Sequence, residues 1–196
     1  MKKNEIIAAL EPLIKAFEEL KILYYIGGSI ASSAYGTARS TLNIDLVTNL
    51  LTHHIKPFTE KLKDEYYVDA EMIAEAIKTK SSFNLLHLQS MLKIDIFILK
   101  DSTYSTKEFE RKVKDKLEED EKPINIYLCS PEDIILNKLE WYKIGGKTSE
   151  KQWSDILGVI KVQAENLDRD FLKYWAKQLE VFELLVKAFD ICKIKL

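Results

Sequence analysis

Two short stretches bring together residue types that can do chemistry. Gly27-Gly28-Ser29 separates an apolar run from a run of small residues, and Asn43-Ile44-Asp45 follows it. A strand that ends in Gly-Gly-Ser and opens a helix makes an anion site. Glycine lets the backbone come close, the first helical N–H groups lack intrahelical acceptors, and the Ser hydroxyl adds a donor. A triphosphate fits such a turn, although an ordinary strand-to-helix turn has the same composition. Asp45 lies inside the apolar run Ile44-Asp45-Leu46-Val47, where Asn43 and Asp45 share one face of a strand. Asp95 repeats the pattern in Lys93-Ile94-Asp95-Ile96-Phe97. A carboxylate inside a strand needs a partner, because burying it alone is costly. Two of them on neighbouring strands repel unless a cation lies between. Oxygen ligands beside a phosphate suit Mg2+; a salt bridge or a strand-end cap is the competing reading of each acid taken alone.

The elements that must position these residues can be read along the chain. Apolar residues at helical spacing predict an amphipathic helix over 4–20. A short strand over 22–26 then ends at Gly27-Gly28, and Ser29 is expected to cap a helix over 30–35 that Gly36 ends. Alternation predicts strands over 42–48, 83–88 and 91–99, and a further strand over 124–128. Helices are expected near 57–63 and 70–78. The charge-dense stretch 104–122 reads as a solvated helix or loop. From Ser130 onward the pattern is helical. Ser130-Pro131-Glu132-Asp133 starts a helix that runs to about Tyr142 and stops at Gly145-Gly146. Ser149 and Gln152 fit a capping box for a helix over 150–163. Asp168 caps a helix over 171–179, and a last helix covers 181–190. The fold class is α+β: a mixed sheet flanked by helices in residues 1–129, followed by a C-terminal helical tail in residues 130–196.

Composition narrows the function. The chain has 196 residues, 46% of them hydrophobic and 31% charged, which suits a packed domain and excludes a disordered one. Lys plus Arg is 29 and Asp plus Glu is 31, so the net charge is −2, too small for a protein that coats nucleic acid electrostatically. Cys129 and Cys192 form no metal-ligand spacing and read as small buried hydrophobes. No signal peptide and no membrane-spanning run is read, so the expected location is cytoplasmic. His53-His54 reads as a surface loop, His87 as a satisfied strand histidine, and Trp141, Trp153 and Trp175 as core.

The stretch GGSIASSAYGTARSTLNIDL resembles the signature of the DNA polymerase beta-type nucleotidyltransferase superfamily: a Gly-Ser turn, a helix, an Arg, then D-x-D. Within it the chain is most similar to the small proteins related to the AbiEii toxin group. SPEDIILNKLEWYKIGGKTSEKQWSDILGV resembles their second signature, which pairs a Lys on one helix with an Asp on the next. The resemblance implies that Gly27, Gly28 and Ser29 hold a nucleoside triphosphate, with Arg39 as a further phosphate contact. It implies that Asn43, Asp45 and Asp95 hold Mg2+, that Asp95 helps activate the attacking hydroxyl, and that Lys138 and Asp155 take the roles of the downstream Lys and Asp. Such a Lys would touch phosphate, and such an Asp would hold the Lys or the acceptor. The implied reaction moves a nucleotide to an RNA (such as tRNA) or protein hydroxyl. Asn43 departs from the pattern, which wants Asp. Its neutral oxygen can ligate a metal but cannot bridge two with negative charge. The alternative is therefore a catalytically inactive module of a toxin–antitoxin-like system that binds a nucleotide or a protein. Oligomeric state is left open by the sequence.

Overall fold

Alternating burial along a few short segments builds the sheet. A computed structural model describes residues 3–39, 41, 43–117 and 123–196. Strands β1 (Tyr24–Ile26), β2 (Asn43–Thr48), β3 (Tyr66–Tyr67), β4 (Ser82–His87), β5 (Lys93–Ile98), β6 (Val113–Leu117) and β7 (Ile124–Leu128) form one mixed sheet in the order β3-β4-β5-β2-β1-β7-β6. The pairs β2–β5 and β1–β7 are parallel and the other pairs antiparallel. Residues facing the core, among them Ile26, Ile44, Leu46, Ile94 and Ile96, are fully buried. Each such side chain contributes on the order of 1.5–3 kcal/mol. Among the described residues the fold is the α+β mixed sheet with flanking helices that the sequence predicts. Leu42, expected to open β2, and Ser40 lie outside the described residues.

The chain divides into two compact units. One holds residues 1–27 and 40–128, and the other holds residues 28–39 and 129–196. Residues 28–39, which the sequence reading grouped with the α/β region, thus belong to the helical unit. In the first unit the helices are α1 (Lys3–Glu19), α3 (Ile55–Leu62), α4 (Ala70–Thr79) and α5 (Thr103–Glu110). Phe17 of α1 stacks on Tyr24 and Phe58, with ring centroids 5.1 and 5.5 Å apart. The charge-dense stretch begins as the expected helix, residues 104–110 lying in α5, and then differs from the expected loop or helix. After α5 it forms the edge strand β6, whose Lys114, Asp115 and Lys116 are exposed. Charges on an edge strand deter pairing with other chains, and they also erase the alternation that marks a strand. Residues 118–122 of that stretch lie outside the described residues. His54 Nδ1 accepts from the Leu51 N–H in an exposed turn, and buried His87 pairs through Nδ1 with Ser90 Oγ at 2.7 Å.

The second unit contains α2 (Gly28–Tyr35), α6 (Pro131–Ile144), α7 (Glu150–Gln163), α8 (Arg169–Gln178) and α9 (Phe182–Cys192). Ser130, Ser149 and Asp168 cap α6, α7 and α8, each side chain accepting an N–H three residues on. Gln152 does not complete a capping box, because its side-chain oxygen accepts from Lys138 Nζ at 3.2 Å. Helix α2 starts at Gly28, so Ser29 sits inside its first turn and is not its cap. Gly28 has φ 53°, a left-handed conformation that favours glycine. Trp141 corrects the expected tryptophan core, being 55% exposed, while Trp153 and Trp175 are half-buried. Cys129 is buried and Cys192 half-buried. Among the described residues no helix is long and apolar enough to cross a membrane.

The end of α2 meets the middle of α7 backbone to backbone. A Cβ at Gly36 would lie 2.8 Å from Val159 N and 2.9 Å from both Gly158 C and Ser32 O. None of those atoms is the far end of a flexible side chain. Gly36→Ala is therefore expected to destabilise the protein by about 1–3 kcal/mol, the usual range for overpacking. Urea unfolding measures this, and a midpoint equal to wild type would show that the two segments part freely.

Candidate functional site

In the first unit, strand register sets the acids. β2 and β5 run parallel with Asn43 beside Lys93, Asp45 beside Asp95, and Val47 beside Phe97. Directly paired residues point to the same face, so Asn43, Asp45, Lys93 and Asp95 form one block, with strand backbones about 4.8 Å apart. Asn84 of β4 pairs with Asp95 from the other side. The residues that alternate with this block, Ile44, Leu46, Ile94 and Ile96, are buried behind it. Asp45 is half-buried and Asn43 exposed. Lys93 Nζ lies 2.8 Å from Asp95 Oδ1, and the Asp95 side chain is only 16% exposed. Gly27 ends β1, and its N–H donates to the Asp45 carbonyl at 2.8 Å. That amide is therefore committed within the sheet. Two carboxylates and one amide oxygen are a donor set that suits a hard divalent cation such as Mg2+. Among the described residues no group of three or more His, Cys, Asp or Glu side chains stands ready for a metal.

In the second unit, one carboxylate holds two cations. Asp155 on α7 accepts from Arg39 Nε through Oδ1 and from Arg39 Nη2 through Oδ2, both at 2.7 Å. Its Oδ2 also accepts from Lys138 Nζ at 2.8 Å. Arg39 Nη2 further donates to Ser29 Oγ at 2.6 Å, so the hydroxyl keeps its own hydrogen to give elsewhere. Lys138 and Asp155 are nearly fully buried, while the Arg39 side chain remains 25% exposed. The close approach at Gly36 delivers Arg39 to α7 one turn before Val159, where Asp155 projects. Burial alone would raise the Asp155 pKa. The hydrogen bonds and charges of Arg39 and Lys138 outweigh it and hold the carboxyl below its ordinary value. The same bonds raise the Arg39 pKa.

The structure thus gathers Asn43, Asp45 and Asp95 in one unit, with Gly27 bonded to Asp45. It gathers Ser29, Arg39, Lys138 and Asp155 in the other, with Gly28 opening the same helix as Ser29. Two partners escaped the sequence reading. Lys93 stands two residues before Asp95 and so on its face, a spacing that was legible, but only the register shows that it lies beside Asn43. Gln152 looked like a helix cap and proved to be a partner of Lys138.

Removing the Asp155 charge takes a buried anionic partner from both Arg39 and Lys138, at a cost of about 3–5 kcal/mol. Because folding depresses this pKa below the ordinary 3.8, the stabilisation is complete above that value and is lost as pH falls through the folded-state pKa. Asp155→Asn is expected to unfold at lower urea than wild type at pH 7, with the gap closing as pH drops below 3.8. A gap of constant size down to pH values near 2 would contradict this account of the cluster.

No protein-family model matches the chain, and no curated protein does. Several solved structures share its fold. The crystal structure of ANT(2'')-Ia in complex with adenylyl-2''-tobramycin gives a TM-score of 0.56 at 12% identity, covering 90% of this chain and 97% of that one. A nucleotidyltransferase-like protein from Paracoccidioides brasiliensis gives 0.54 at 15% identity, covering 98% of this chain and 95% of that one. The solution structure of the antibiotic-resistance factor ANT(2'')-Ia gives 0.52 at 13% identity, covering 98% and 97%. At these identities the likeness is one of architecture: the chain has a nucleotidyltransferase-like fold.

Proposed function

We propose that this protein transfers a nucleotide from a nucleoside triphosphate to a hydroxyl group. The observation that carries the reading is the pairing of Asp45 with Asp95 on adjacent parallel strands, within a fold shared with nucleotide-transferring proteins. Asn43, Asp45 and Asp95 are the residues that would hold Mg2+. When bound, the cation offsets phosphate charge and stabilises the attacking and leaving oxygens. Gly28, Ser29 and Arg39 are assigned to the triphosphate. Ser29 offers its hydroxyl hydrogen, and Arg39 offers a permanent positive charge whose position Asp155 fixes. Lys138 acts through Asp155, to which it is bonded within the buried cluster. In the reaction the acceptor hydroxyl oxygen bonds to the α-phosphorus, the bond to the pyrophosphate oxygen breaks, and the hydroxyl proton passes to a nearby base. Asp95 is assigned to that proton.

The proposed acceptor is an RNA or protein hydroxyl, as in the AbiEii-related proteins that the signatures resemble, and the proposed location is cytoplasmic. The second reading is transfer to a small aminosugar. The adenylylated tobramycin bound by a structure of the same fold favours it. The third is a nucleotide- or protein-binding module of a toxin–antitoxin-like system, favoured by the neutral Asn43.

Calorimetry with Mg2+ and each nucleoside triphosphate tests the common core of these readings. Binding is expected to require Mg2+ and to weaken at least 10–100-fold in Asp45→Asn, since even indirect disturbance of a metal ligand costs that much. Asn43→Asp is expected to strengthen it by a similar factor. Labelled nucleotide offered with RNA, protein and aminoglycoside then identifies the acceptor. Mg2+-dependent binding without transfer to any of them would favour the module, and absence of binding in wild type and Asn43→Asp would sink the transferase reading.

A further inference from the structure

We infer that the acid face holds a single divalent cation and that the Lys93 ammonium supplies the second positive charge there; this rests on the metal-holding role proposed above for Asp45 and Asp95. The register sets four side chains in a two-by-two block, Asn43 beside Lys93 and Asp45 beside Asp95. Their formal charges are neutral and positive in the first row and negative in both places of the second. A pair of divalent cations needs carboxylates that bridge them. Here one candidate bridging position is the neutral Asn43. Asp95, in turn, already accepts from an ammonium at 2.8 Å through Oδ1. An ammonium has three donors and no lone pair, so it cannot ligate a metal. It competes for the carboxylate oxygen and repels a cation approaching it. Lys93 does not serve as a strut. Its side chain is 50% exposed, and solvent-facing ion pairs add little to stability. Its role is electrostatic, and it can be removed without losing the sheet.

Counting bound Mn2+ by electron paramagnetic resonance, with no nucleotide present, tests this. Wild type and Lys93→Arg are expected to bind one Mn2+ per chain. Lys93→Met is expected to bind it at least tenfold more tightly. The double variant Asn43→Asp/Lys93→Met is expected to bind two, with the spin-coupled spectrum of neighbouring ions. Circular dichroism confirms that each variant is folded. Two Mn2+ in wild type would overturn the inference, as would a Lys93→Met variant with the affinity and count of wild type. If Asp45→Asn still weakened binding at least tenfold in that case, the metal-holding reading would stand and only the role of Lys93 would fall. Absence of Mn2+ binding in every variant would overturn both.

Discussion

The register between β2 and β5 is the constraint on which the first unit's chemistry depends. A slip of one residue would turn every side chain of a strand to the other face. A slip of β2 would put Asp45 into the layer now filled by Ile44 and Leu46, and a slip of β5 would put Asp95 into that of Ile94 and Ile96, all of them buried. The cost of burying a carboxylate and exposing two branched apolar side chains forbids either slip. The core therefore selects the acids' position without touching them. Once they are side by side their mutual repulsion remains, and the structure answers it with an ammonium at Asp95. Two like charges brought together in this way favour a cation beside them.

The second unit obeys the reverse logic. One buried carboxylate, Asp155, serves two cations, so the cluster of Arg39, Lys138 and Asp155 carries a net positive charge. The cluster also couples segments distant in sequence. Asp155 ties α6 to α7 through Lys138, and it ties the segment after α2 to α7 through Arg39. The backbone approach at Gly36 makes the second link geometrically available. Arg39 donates to Ser29 from the same guanidinium that grips Asp155, so the Ser29 side chain is oriented by a residue ten positions further on. A guanidinium fixed by a carboxylate, with a hydroxyl oriented by that guanidinium, is more preorganised than two side chains on a mobile turn.

Much of this was legible because local rules decide it. The caps Ser130, Ser149 and Asp168 are read directly from side-chain chemistry, and they sit where the sequence places them. Alternation in β2 and β5 was legible because one face of each strand is buried. The edge strand β6 was not legible, since its pairing with β7 is non-local and its exposed charges obscure the pattern. Trp141 was misplaced because helical spacing says which face a residue occupies but not whether another element covers that face. Ser29 looked like a cap because Ser before an apolar run usually is one. A left-handed Gly28 instead starts the helix earlier. In the acid block, composition offered Asn43, Asp45 and Asp95, but only strand pairing revealed that Lys93 belongs with them.

That pairing changes how Asn43 reads. Taken alone, an amide where the resembled family has a carboxylate looks like decay of a metal site. In register, the amide stands beside Lys93, the very residue whose ammonium engages Asp95. A carboxylate at position 43 would have a cation as its neighbour already and would draw Lys93 away from Asp95, because both acceptors would compete for one ammonium. With a neutral oxygen there, Lys93 has a single anionic partner among these four residues and its position is defined. The neutral oxygen at 43 and the ammonium at 93 are thus two parts of one electrostatic arrangement.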